Sequence, residues 1–307
     1  MFEQQEEFIL FAEGNACLHL ACSKGHIQLL RPLITHGAIV NHRNAQQETP
    51  LLFAIRSMGQ TRIANPTEHP TFECLSVLME TLQYVGADME AQDHLRRNIF
   101  HLAVLYDVPE VFAFFCKGES TDRKKRELIQ RLFQTHDEFH MPVHLAVVMQ
   151  RLGCFELLMG FFSFPPLKMI TRPQQDTVYH LIAQHIKDED ACKAFFLRAY
   201  TTAMCTEMNS VNCLDSTPLH AAVLHNNLHA AHWCLKLGAR TDVKNVFDQT
   251  PLQVSTEIGA HDLTGLLQSH EQGAAFFEDP YPKFVHPMPP LKMFERNRVQ
   301  LKKLFVG

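Results

Sequence analysis

Residues 215–245 read DSTPLHAAVLHNNLHAAHWCLKLGARTDVKN, and the order of residue types within them decides the fold. Thr217 supplies a side-chain oxygen for a helix N-cap, and Pro218 follows at the first helical position, where a missing N–H costs nothing. The next apolar residue, Leu219, faces a core. The run stops at Asn226, a residue type that favours the turn conformations needed to reverse direction. A second helix then returns and closes at Gly238-Ala239, glycine being suited to the left-handed residue that ends a helix. Two helices this short cannot bury their apolar faces alone, so such pairs must stack into one continuous core.

The same tetrapeptide recurs along the chain: Ala16-Cys17-Leu18-His19, Thr49-Pro50-Leu51-Leu52, Asn98-Ile99-Phe100-His101, Met141-Pro142-Val143-His144, Thr177-Val178-Tyr179-His180, Thr217-Pro218-Leu219-His220 and Thr250-Pro251-Leu252-Gln253. First-helix ends are marked by Gly25, Asp107, Asn226 or Gly259. Second helices show apolar residues at helical spacing, as in Ile27, Leu30, Ile34 and Leu75, Leu78, Met79, Leu82, and they close at Gly37-Ala38 or Gly86-Ala87.

The TPLH tetrapeptide, the LAxxxG segment and the closing GA resemble ankyrin repeats, most fully at residues 14–44 and 215–245. The likeness runs from about residue 14 to about residue 270. It implies an all-α ankyrin-repeat solenoid of about seven helix-turn-helix repeats with connecting hairpin loops, followed by a C-terminal extended segment and short helix. It also implies that the motif histidines His19, His101, His144, His180 and His220 bond main-chain groups of neighbouring repeats.

The motifs begin at residues 16, 49, 98, 141, 177, 217 and 250, so their spacings run 33, 49, 43, 36, 40 and 33, and the middle repeats carry insertions. The expected domains are an N-terminal capping helix over 1–13, a repeat domain over 14–271, and a Pro-rich segment with a basic amphipathic helix over 272–307. The insertion at 58–72 reads as a loop because of Asn65-Pro66 and His69-Pro70. The one at 117–136 contains a helical stretch from Arg126 to Phe133. Pro32 predicts a kink in its helix or a late helix start. In the tail, DPYPKFVHPMPPL (279–291) carries five prolines in thirteen residues and should run extended. LKMFERNRVQLKKLF (291–305) sets Leu291, Phe294, Arg298, Leu301 and Phe305 on one helical face, suited either to folding back on the repeats or to docking a partner or an acidic membrane surface.

Composition narrows the function classes. Of 307 residues 46% are hydrophobic and 20% charged, with a formal net charge of -5 and a pI near 6.4, so no basic field for nucleic acid is present. Nine cysteines without a CxxC pair fit free thiols in a reducing compartment, so a cytoplasmic or nuclear location is expected. The acidic start lacks the features of a secretory signal, and no run approaches the roughly 18 apolar residues of a membrane span. A monomer is expected.

The sequence offers no convincing catalytic constellation. His136, His140 and His144 have i, i+4, i+8 spacing, yet His144 is a motif histidine while the other two fall in the preceding hairpin, so no metal is expected. His225, His229 and His232 are split by the Asn226-Asn227 turn. Cys17 beside His19 occupies the motif's proline position, where burial keeps a thiol inert. No phosphate-binding glycine loop, GxSxG or HExxH is present, so neither cofactor nor enzymatic activity is expected. Arg123-Lys124-Lys125-Arg126 reads either as a nuclear-import signal or as a solvated helix start.

The resemblance implies recognition by hairpin tips and by exposed positions of each first helix. Four tips carry a large apolar residue, Leu95, Phe139, Leu214 and Phe247, and are candidate anchors for a partner or else pack on neighbouring tips. Along the first helices the candidates are Lys24, Arg56, Tyr106, Met149, His185, His225 and Glu257. LITHGAIVN, from Leu33 to Asn41, resembles the asparagine-hydroxylation context of ankyrin repeats, with Ile39 departing from its usual acidic residue. The expected function is a non-catalytic protein-binding scaffold, adaptor or inhibitor. The chain resembles the inhibitors of nuclear factor kappa B in repeat number and in the HLAV segments at His101 and His144, features that ankyrin proteins share widely. The rival expectation is a substrate-recognition module of a ubiquitin ligase or a microbial ankyrin effector.

Overall fold

The structure, a computed structural model, describes residues 12–64, 72–116, 123–160, 170–201 and 208–272. The expected C-terminal segment from 273 onward and residues 1–11 of the expected N-terminal cap lie outside the described residues. The chain forms two compact units, 1–138 and 139–307.

The first unit pairs α1 (Cys17–Ser23) with α2 (Ile27–Thr35), α3 (Pro50–Ala64) with α4 (Phe72–Tyr84), and α5 (Ile99–Leu105) with α6 (Glu110–Cys116); α7 (Arg123–Gln134) follows. First helices stack on first helices, α1 on α3 on α5, and second on second, α2 on α4 on α6. The second unit repeats this with α8 (Pro142–Val148) and α9 (Leu152–Gly160), α10 (Val178–His185) and α11 (Glu189–Thr201), α12 (Pro218–Leu224) and α13 (Leu228–Lys236), and α14 (Pro251–Glu257) and α15 (His261–Glu271). Each unit buries its apolar residues in the seam between the two helix rows, among them Leu52, Phe100 and Leu78 in the first and Phe155, Phe196 and Leu219 in the second.

Local chemistry accounts for the element ends. Asn98 accepts from the Phe100 and His101 backbone N–H groups, and Thr217 and Thr250 accept from the N–H three residues on. The predicted turn residues Gly25, Asp107, Asn226 and Gly259 all take positive φ, as do the closing glycines Gly37, Gly86 and Gly238.

Several expectations need correction. The segment from Met58 is not a loop at its start: α3 continues to Ala64, because Met58 is buried and Gly59 lies against Tyr106. The helix α2 does not start late: it begins at Ile27 and runs to Thr35 with Pro32 exposed inside it. Residues 12–14 form a short 3-10 turn with Glu13 at φ 64, not the end of an α-helix. Cys17, expected to be buried, is half-exposed at the start of α1. The helical stretch expected in the second insertion is α7, whose basic run forms its first turn. Within the first unit it is held by Asn98 Nδ2, which donates to the Leu132 carbonyl at 2.6 Å, and by Arg131 on Glu90.

Candidate protein-binding surface

The motif histidines come first, because they set the geometry of everything exposed above them. All five are fully buried. His101 Nδ1 lies 2.8 Å from the Asn98 side-chain oxygen; in the other four, Nδ1 accepts from the backbone N–H three residues earlier: Ala16, Met141, Thr177 and Thr217. That bond places the remaining ring proton on Nε2, which in three repeats donates to a carbonyl of the next hairpin: His19 to Glu48 at 3.1 Å, His180 to Ser216 at 2.7 Å, and His220 to Gln249 at 3.0 Å. One imidazole thus caps its own helix and fixes the next tip.

Burial pushes His19, His180 and His220 below the ordinary histidine range, the backbone acceptors opposing it. The sign follows directly. A histidine with a lower pKa in the folded state binds fewer protons there than when unfolded, so its stabilising contribution is complete above pH 6.5 and is lost as pH falls toward the folded value. The melting temperature should therefore be flat from pH 8 to 7 and fall between 6.5 and 5, before most carboxylates near 4 titrate. Thermal scans by circular dichroism across that range test this, and a midpoint that stays level to pH 5 contradicts it.

The tips are built on a shared turn. Asn44, Asp93, Asn212 and Asn245 each accept, through a side-chain oxygen, from the N–H groups two and four residues on. The fourth residue takes positive φ in each: Gln47, Arg96, Asp215 and Asp248. Leu95, Leu214 and Phe247 occupy the third position, where the side chain projects from the turn. Successive tips are joined by backbone hydrogen bonds. In the first unit His94 N–H donates to Gln46 O at 3.0 Å; in the second, Arg172 donates to Phe139, Cys213 to Gln174 and Val246 to Leu214, at 2.9, 3.0 and 3.1 Å.

Phe247 is 71% exposed and Leu214 48%, and the Val246 to Leu214 bond places these two tips side by side. Val246 is 48% exposed between them and was not singled out from the sequence. Leu95 is exposed on the first unit. Of the first-helix candidates, Lys24, Met149, His185, His225 and Glu257 are exposed, while Tyr106 is half-buried. Arg56 is not a free contact: its guanidinium bonds Glu48 at 2.8 Å and lies over Phe53.

Phe139, His185 and His225 come together on an open groove of about 430 Å³ in the second unit. Its other lining residues include His140, Thr171 and Leu181, with Asp176 and Gln184 bonded to each other at 3.1 Å. That pair belongs to a pattern the sequence did not disclose. The residue before the motif reaches the helix residue eight positions later in three repeats: Glu48 to Arg56, Asp176 to Gln184 and Gln249 to Glu257. Met149 caps α8 beside Gln150, whose side-chain amide donates to the His185 carbonyl at 3.1 Å.

Asn41 does not extend freely into solvent. Its amide bridges to the next repeat, donating to Gly86 O at 3.0 Å and accepting from Asp88 N–H at 2.8 Å. Asn209 makes the same bridge to Gly238 O and Arg240 N–H. His136 and His140 lie outside helices while His144 is in α8, so the three do not share a helix face. Among the described residues no group of three or more His, Cys, Asp or Glu side chains could hold a metal ion, and no helix is long and apolar enough to cross a membrane. The thiols of Cys22 and Cys192 are pushed up to about 12 by burial, so they stay protonated and unreactive.

Stacked helix pairs joined by hydrogen-bonded hairpin tips define a helical repeat protein, and comparison with known proteins names the repeat. Residues 2–65 match a family model described as ankyrin repeats in three copies, and residues 215–246 match the ankyrin repeat model. The chain is an ankyrin-repeat protein. The solved ankyrin repeat domain of Bcl-3, described as a unique member of the IkappaB protein family, superimposes with a TM-score of 0.61 at 17% identity, covering 83% of this chain and 99% of that one. The NF-kappa-B inhibitor cactus of Drosophila melanogaster is 39% identical over 75 residues, 24% of this chain and 14% of the relative. Neurogenic locus notch homolog protein 1 of Homo sapiens is 25% identical over 244 residues, 76% of this chain and 9% of the relative. The chain thus spans only a small part of the length of these two relatives.

Proposed function

We propose that this chain is a non-catalytic scaffold of adaptor or inhibitor type, working in the cytoplasm or nucleus, that binds a partner protein on the tips and first-helix face of its ankyrin repeats. The observation that carries this reading is the pair of adjacent apolar tips, Leu214 and Phe247, held out by turns whose backbone groups are already satisfied. Large apolar side chains on a rigid base lose little conformational freedom on binding and make effective anchors. The likeness to the NF-kappa-B inhibitor cactus supports the inhibitor form of this reading.

The test is the double variant Leu214→Ala with Phe247→Ala. Both side chains are largely exposed in the free chain, so stability should change by no more than about 0.5 kcal/mol. Binding to a partner isolated from lysate by the unmodified chain should weaken by about 2 kcal/mol, roughly 30-fold, in an isothermal titration. A large fall in melting temperature with unchanged affinity would show the tips to be structural props.

A further inference from the structure

The groove of the second unit carries a chemistry that the apolar tips lack. His140 stands before the α8 motif, His185 ends α10 and His225 caps α12, so three successive layers each line it with an imidazole. The one carboxylate among the lining residues, Asp176, is already engaged: Oδ1 accepts from Asn212 Nδ2 at 2.8 Å and Oδ2 from Gln184 Nε2 at 3.1 Å. Lys187, just beyond α10 and outside the lining, donates to the His225 carbonyl at 2.9 Å. Phe139 and Leu181 supply the apolar part of the lining. Resting on the protein-binding reading above, we propose that this groove receives the carboxylate of an acidic side chain from an extended partner segment, an apolar neighbour of that residue lying on Phe139 and Leu181.

The electrostatics fix the direction of the pH response. His185 is held below the ordinary histidine range by burial first, then by His225 and His140, with Asp176 opposing them. An arriving carboxylate beside His185 supplies the missing negative charge and raises its pKa, so binding takes up a proton there. Affinity therefore rises as pH falls through the histidine range. A charge-assisted hydrogen bond from His185 would also select a carboxylate over its amide.

The experiment uses the full chain, immobilised and panned against a displayed library of random nine-residue peptides at pH 7.5 and pH 6.0, with folding at both checked by circular dichroism. The expected result is enrichment of Asp and Glu at one position beside an aromatic or aliphatic residue, at least fivefold stronger at pH 6.0. That preference should vanish in His185→Gln with His225→Gln, two exposed positions whose replacement keeps the fold, and each single variant should weaken it. Enriched peptides with no acidic position, or an acidic preference that ignores pH or the histidine substitutions, overturn the groove proposal while leaving protein binding intact. Failure to enrich any peptide counts against both.

Discussion

His180→Ala is expected to destabilise the second unit by about 3 to 5 kcal/mol, lowering the melting temperature by roughly 6 to 15 °C. The imidazole is fully buried and makes three bonds at once: Nδ1 accepts from the Thr177 backbone N–H at 3.1 Å and from its hydroxyl at 2.8 Å, and Nε2 donates to the Ser216 carbonyl at 2.7 Å. Alanine leaves the buried Thr177 N–H without its acceptor, at about 1 to 3 kcal/mol, takes one of two donors from the Ser216 carbonyl, which keeps the Asn212 N–H at 3.1 Å, and opens a cavity as well. The loss should also spread to the next layer, because repeat stability is a sum of each pair's own stability and its neighbour terms. The final described repeat offers the control. There Gln253 stands in the histidine position, its Oε1 accepting from Thr250 N–H at 2.8 Å, with no further hairpin among the described residues to receive a second bond. His180→Gln should therefore keep the helix cap, lose the link to Ser216 and fall between the wild type and His180→Ala in guanidinium unfolding. A His180→Gln variant as stable as the wild type would show that the inter-repeat bond contributes nothing, and equal losses in both variants would show the same of the cap.

What the sequence disclosed and what it did not divide along a physical line. Helix starts and stops were legible because their causes are local: a Thr or Asn oxygen reaches an N–H two or three residues away, and Gly25, Asp107, Asn226 and Gly259 need only their own φ. The outward position of the apolar tip residues was legible for the same reason, since a fixed turn register exposes Leu95, Leu214 and Phe247 alike. The groove was legible only in part. Phe139, His185 and His225 were singled out as separate contacts, but Asp176 with Gln184 reads as two unremarked polar residues until a hairpin and a helix bring them together. Arg56 was misread as exposed for a related reason, its partner Glu48 lying in the preceding hairpin. The continuation of α3 was missed because its cause lies more than forty residues away, at Tyr106.

That distant contact makes Gly59→Ala a test whose sign alone is informative. In a helix, replacing glycine by alanine normally stabilises by up to about 1 kcal/mol, because glycine gives up more backbone freedom on folding. Gly153 in α9, where an added methyl meets nothing within 4 Å, should show that gain. At Gly59 the added Cβ falls 2.3 Å from Tyr106 Cβ, 2.9 Å from the Tyr106 carbonyl oxygen and 3.1 Å from Val108 Cγ2. Two of these three neighbours cannot rotate away, being backbone or the first side-chain atom, so α3 and α5 must separate. Overpacking of this kind costs about 1 to 3 kcal/mol or more, which exceeds the propensity gain, and the expected net loss is roughly 2 kcal/mol. Removing the struck atom, in Gly59→Ala with Tyr106→Gly, should show favourable coupling relative to the two single variants, since the residues then no longer collide. If Gly59→Ala instead stabilises the chain as Gly153→Ala should, the two helices do not approach this closely, and the account of why α3 runs two turns past its expected end must be abandoned.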